Sequence, residues 1–217
     1  DMARRGLLEG SLVRVRSRRG DVIVPVGLGE DLRGGQVFLP MHWGSHLMAG
    51  LGINALTLPV FDPYSKQPEL KNAAVQVEKI ELPWRFVAMA IGEPDQSGTA
   101  LAKLAALRKH LGAFEYASVG LFGHSQENVI FRAAASVPLS EKFVAGIDRI
   151  LRLDEIDDVL HYADKRRDVE RKMRIKDGKL AAVRLSGDVA AKDWLQDWLA
   201  QGMTVSHLTR VLLTPST

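Results

Sequence analysis

The sequence predicts two parts of different construction. Residues 1–84 read as a strand-rich part punctuated by glycine, and residues 85–217 as an α+β part. Three observations carry this division. Short apolar runs alternate with Gly and Pro turns up to Leu82-Pro-Trp84. A long irregular stretch, residues 40–72, interrupts the first part. Helical periodicity appears only from Thr99 onward. A chain of 217 residues has room for one large domain or two small ones.

In the first part, residues 11–16 mix apolar and polar positions as a half-buried strand does. Ser17-Arg-Arg-Gly-Asp21 supplies a turn, with Gly20 free to take a positive φ. Residues 22–26 form a second strand, which Pro25 confines to an edge or bulge. Residues 36–39 read as a third strand. Residues 73–80 read as a fourth, with Val75 and Val77 on one face. The aromatic and apolar content of residues 40–72 favours an ordered, functional segment.

In the second part, residues 85–91 form a strand and 92–98 a loop. Thr99 caps a helix to about Leu111, with Leu101, Leu104, Leu107 and Leu111 near one face. Strands follow at 117–122 and 129–135. Pro138-Leu-Ser140 opens a helix with Phe143, Ile147, Ile150 and Leu151 inward. Residues 168–175 and 180–185 form a hairpin across Asp177-Gly178. A helix over about 189–201 turns Trp194, Leu195, Trp198 and Leu199 to the core and stops at Gly202. Residues 204–213 give one more helix. Helices on a largely antiparallel sheet are the result.

Composition excludes several functions. With no cysteine, these residues hold no disulfide, thiolate nucleophile or all-thiolate iron–sulfur cluster. No apolar run reaches the ~18 residues of a membrane span, and residues 1–6 lack the apolar core of a signal peptide. The formal charge is a mild +3. Arginines crowd the first twenty residues, and residues 165–174 form a second basic run. Both read as solvated edges, the second because acidic residues interrupt it. Neither nucleic acid nor a membrane is expected as a partner.

One constellation points to a cofactor. Gln36-Val-Phe-Leu-Pro-Met-His-Trp-Gly-Ser-His46 is followed by Gly52-Ile-Asn-Ala-Leu-Thr57 and Asp62-Pro-Tyr-Ser-Lys-Gln-Pro-Glu-Leu-Lys71. These residues resemble the C-terminal dinucleotide-binding domain of molybdopterin oxidoreductases, and most closely the catalytic subunit of bacterial assimilatory nitrate reductases. The resemblance implies a β-barrel, the later portion of a double-psi β-barrel, over residues 1–84. It implies that Asn54 and Lys71 bind the cofactor, and that Met41 and His42 approach the pterin or the substrate channel, with Trp43 and Gly44 beside them. An asparagine amide offers both donors and acceptors to a pterin or guanine edge. It further implies molybdenum bis(molybdopterin guanine dinucleotide) in a larger parent, with the iron–sulfur cluster and the molybdenum ligand in other domains. Formate dehydrogenases share parts of the pattern. Residues 85–213 resemble an extension found after the barrel in some of these nitrate reductases. Within it, residues 179–188 resemble the end domain of flavin-dependent reductases, which mediates packing.

Simpler readings compete. His42-x-x-x-His46 has the spacing of two metal ligands on a helix, but Gly44 weakens a helix and no third ligand is in view. Asn54 alone is more often a turn residue and Lys71 a solvated lysine; Lys66 also reads as exposed. Gly123-His-Ser-Gln126 lacks the second glycine of a nucleophile elbow, and no Rossmann or P-loop glycine pattern occurs. No catalytic residue is assigned.

Three functions follow as expectations. The first is the cofactor-binding piece of a cytoplasmic molybdenum oxidoreductase for nitrate assimilation, silent alone. Its partners would be upstream domains of the same polypeptide and an electron-donor reductase, with nitrate as the parent's substrate. The second is a non-enzymatic module that docks a reductase. The third, and weakest, is a nucleic-acid binder using the N-terminal arginines.

Overall fold

The computed structural model describes residues 1–68, 72–124, 126–155 and 158–205. The chain divides into two compact units, Asp1–Leu82 and Pro83–Thr217.

The first unit is built on a three-stranded antiparallel sheet. Its strands are β1 (Leu12–Arg16), β2 (Asp21–Pro25) and β3 (Gln76–Lys79), in the order β2-β1-β3. Pro25 ends an edge strand, where its missing N–H leaves no gap in the ladder. Alternation turns Val13 and Val15 onto a core shared with Leu7, Val22, Ile53 and Leu56, and Val75 and Val77 pack against it. Among the described residues no sheet closes into a barrel.

Two expectations for this unit fail. Residues 36–39 are not a strand: they have no ladder partner, and Val37 and Phe38 are exposed. Gly20 does not take a positive φ. The turn closes instead through Ser17 N–H donating to the Gly20 carbonyl at 2.9 Å. A glycine fits there because a Cβ would stand 3.1 Å from the Ala55 carbonyl oxygen.

The second unit is a six-stranded sheet in the order β5-β6-β4-β9-β8-β7, with every neighbouring pair antiparallel. The strands are β4 (Trp84–Ile91), β5 (Tyr116–Phe122), β6 (Asn128–Ala135), β7 (Val159–Asp164), β8 (Val169–Lys176) and β9 (Lys179–Gly187). Helices α1 (Ala100–Arg108) and α2 (Glu141–Ile150) lie on one face, and α3 (Lys192–Gln201) on the other. Thr99 caps α1 by accepting from Ala102 N–H, and Ser140 caps α2 by accepting from Phe143 N–H. Asp177 and Gly178 both take positive φ, 51° and 70°, as a two-residue hairpin turn of the primed type requires. Gly202 stops α3 in the left-handed region.

Helix α1 ends at Arg108, Leu111 begins a separate short 3-10 turn, and Leu101 is exposed. Strand β7 carries no strand signal in the sequence. It is an edge strand with only partial burial, so its pattern carries no strong apolar alternation. At residue 204 no helix begins: Thr204 bridges to Lys179, and Val205 N–H donates to the Gly178 carbonyl at 2.8 Å. The rest of that expected helix lies outside the described residues.

The basic run at 165–174 is not wholly a solvated edge, because Arg171 and Arg174 are buried. The sheet face under α1 and α2 is divided. Over β4 and β6 it is aromatic, with Trp84, Phe86 and Phe131 packed with Phe114 and Phe143. Over β8 and β9 it is ionic. The Arg184 guanidinium grips Asp148 from α2 through Nε at 2.6 Å and Nη2 at 3.2 Å, while Lys172 donates to the same carboxylate at 2.9 Å. Glu93 accepts from Arg174 at 2.9 Å, Lys176 at 2.9 Å and Lys103 at 3.2 Å.

Candidate cofactor-binding surface

The segment between β2 and β3 is ordered by backbone contacts. Gly44 and Gly52 form an antiparallel bridge, and Ile53 N–H donates to the Trp43 carbonyl at 3.0 Å. A single 3-10 turn, Ile53–Leu56, follows directly. Its outer residues, Ile53 and Leu56, are buried in the core, so Asn54 between them is turned to the surface. The Asn54 carbonyl is engaged by Thr57 through N–H and Oγ1. Its side-chain amide has no hydrogen bond among the described residues, so its donors and acceptor are free.

The bridge brings Trp43 and Gly44 alongside Gly52 and Ile53, within two residues of Asn54. Met41, His42 and Trp43 are exposed and Gly44 is half-buried. Five of the six expected binding residues therefore lie on one compact loop system. The sixth, Lys71, lies outside the described residues. His42 and His46 sit in turns rather than on a helix, and no group of three His, Cys, Asp or Glu among the described residues could hold a metal.

Downstream, Phe61 and Pro68 bridge to close a second loop. Asp62 organises it, accepting from Ser65 N–H at 2.7 Å, Ser65 Oγ at 2.9 Å and Tyr64 N–H at 3.1 Å. The Ser65 backbone bond, then its hydroxyl and the Tyr64 N–H, lower the Asp62 pKa. Lys66 takes φ 58° in this loop and is exposed.

The ionic cluster of the second unit has a different chemistry. Burial pushes the Glu93 carboxyl up, but hydrogen bonds from Lys176, Arg174 and Lys103 outweigh it and hold its pKa at about 2. Such a group stays ionised near neutral pH and is unsuited to general acid or base work.

Residues 1–74 match the family model of the Molydopterin dinucleotide binding domain. The segment is thus similar to the cofactor-binding domain found in molybdopterin oxidoreductases, the resemblance that the residues between 36 and 71 carry. Among its relatives is a nitrate reductase of Klebsiella oxytoca, 43% identical over 77 residues, 36% of this chain and 9% of that protein. A nitrate reductase of Synechocystis is 40% identical over 65 residues, 30% of this chain and 9% of that protein. The F420-dependent formate dehydrogenase 1 subunit alpha of Methanococcus maripaludis is 38% identical over 80 residues, 37% of this chain and 11% of that protein. These alignments span about a tenth of each relative's length. No solved structure matches the chain.

Proposed function

We propose that the first unit is the later portion of a double-psi β-barrel that closes over one guanine dinucleotide of a molybdenum bis(molybdopterin guanine dinucleotide) cofactor. The parent is a cytoplasmic assimilatory nitrate reductase, reducing nitrate to nitrite. The observation that carries this reading is the Gly44–Gly52 bridge, which joins the 41–44 loop to Asn54 inside the matched segment. The residues fit such a ligand. Asn54 offers an unengaged amide, His42 and Trp43 offer an exposed imidazole and indole, and bare glycine backbone admits close approach. When bound, the cofactor supplies the molybdenum at which oxygen transfer occurs. This chain's residues bind and orient it.

The surface of the first unit supports its place in a larger polypeptide. Leu51 is 82% exposed, Phe38 73% and Phe61 67%. Exposed side chains of this size are consistent with a surface covered by other protein, for which the upstream domains, carrying the iron–sulfur cluster, are the proposed partner. Among the described residues no helix is long and apolar enough to cross a membrane.

The test uses the full-length parent. Molybdenum and the guanosine monophosphate released by acid hydrolysis are measured, then nitrate and formate turnover with a viologen dye. Nitrate turnover with two guanosine monophosphates per molybdenum is the expected result. Formate oxidation in its place would move the parent to the formate dehydrogenases, and absence of the dinucleotide would end the assignment.

A second reading concerns residues 83–217, which would dock the electron-donor reductase without chemistry of their own. The buried charges of this unit motivate it: Glu93 and Asp148 are taken up by cations of the sheet and helices, and so hold the fold rather than face a substrate. Deleting these residues from the parent should abolish capture of the reductase while leaving dye-driven turnover intact; capture by the truncated parent would refute it.

A further inference from the structure

Three glycines of the cofactor loop differ in a way that assigns them different roles. A Cβ on Gly44 would meet nothing within 4 Å. Gly50 has φ +80° but also faces open space. Gly52 combines φ +78° with close backbone on its side-chain side: a Cβ there would stand 2.6 Å from the Gly44 Cα and 2.8 Å from the Trp43 carbonyl oxygen. Both contacts are to main chain, which has no rotamer to change. An alanine at 52 would have to push the two segments apart.

Gly52 is also the residue at which the 3-10 turn carrying Asn54 begins. Behind that turn, Gly20 of the β1–β2 connection lets the Ala55 carbonyl approach to 3.1 Å of where a Cβ would sit. The turn is therefore held between two bare backbone contacts, with Ile53 and Leu56 anchored in the core. Asn54 is left at the surface, with no side-chain hydrogen bond among the described residues to hold it.

We infer that Gly52 is a positioning residue for the dinucleotide, acting through Asn54: its missing side chain sets the spacing between the 41–44 loop and the 3-10 turn, and so aims the Asn54 amide. This rests on the function proposed above. It adds a residue that would not touch the ligand, and it separates Gly52, which faces close protein backbone, from Gly44, whose side-chain direction is open.

The experiment follows release of the dinucleotide from the full-length holoenzyme, read by the fluorescence of the oxidised pterin, beside the melting temperature of each variant. Asn54→Ala should speed release about tenfold, as loss of a hydrogen bond to the ligand does. Gly52→Ala should speed it at least as much, and Gly27→Ala, whose added Cβ meets nothing within 4 Å, should leave it unchanged. The deciding measurement is the double variant. If Gly52 acts through Asn54, Gly52→Ala adds nothing in the Asn54→Ala background. If Gly52 only supports the fold, the two effects multiply, and the inference is overturned. Release at the wild-type rate from Gly52→Ala overturns it as well. Should Gly52→Ala not fold, Gly20→Ala, which presses on the same turn through the looser contact, decides by the same non-additivity. A wild-type parent without dinucleotide would instead remove the underlying function, a separate outcome visible before any variant is made.

Discussion

Replacing Glu93 with Gln removes a full negative charge from a side chain only 3% exposed. Lys103, 1% exposed, and Arg174, 3% exposed, then keep their charges in the interior without their shared partner. Removing one member of a buried pair in this way costs about 3–5 kcal/mol, most of it from the charges left behind. Lys176 and Arg152 also meet Glu93, at 2.9 Å and 3.4 Å, but they reach solvent and add at most about 1 kcal/mol each. In a unit of this size each kcal/mol moves the melting temperature by about 3 °C, so the loss should be roughly 10 °C or more. Urea denaturation of the whole chain, followed by circular dichroism, measures it. The double variant Glu93→Gln with Lys103→Met should recover part of the loss, because one stranded charge is then gone. A Glu93→Gln protein within about 1 kcal/mol of wild type would refute the reasoning, since Lys103 and Arg174 would then stay buried without needing the Glu93 charge.

Acid should report the same group. The folded pKa of Glu93 is depressed from 4.5 to about 2, so its contribution is complete above pH 4.5 and is lost as pH falls toward 2. Melting temperatures across that window should fall less steeply in Glu93→Gln than in wild type, and parallel curves would count against it. Gly187→Ala should destabilise by about 2–4 kcal/mol, because Gly187 has φ +76° and a Cβ there would strike the Asp168 carbonyl; a urea midpoint near wild type would contradict that geometry. Thr99→Ala should cost about 1 kcal/mol through the lost cap on α1, and Thr99→Ser should restore most of it.

The sequence was most informative where one local rule decides the structure. The Asp177-Gly178 turn, the caps at Thr99 and Ser140, the stop at Gly202 and the edge position of Pro25 each rest on a single residue's conformational preference. It was least informative where distant residues decide. Arg171 and Arg174 look solvated in a run of charges, and only the fold brings Asp188 and Glu93 to them. Residues 36–39 have strand-like side chains but find no ladder partner. For the binding surface, the residue types came from the resemblance. The bridge from Gly44 to Gly52, which gathers them, could not be read from spacing, because nothing local distinguishes Gly52 from Gly50.

The division of one sheet face into an aromatic half and an ionic half has a consequence for how the second unit comes apart. Packing between Phe86, Phe114 and Phe131 is indifferent to protons, whereas the grip of Arg174 and Lys176 of β8 on Glu93 needs an ionised carboxylate. Acidification should therefore unzip the sheet from one side. Amide hydrogens of β8 would exchange with solvent while those of β4 and β6 stay protected, and a domain cooperative at neutral pH would open in two stages.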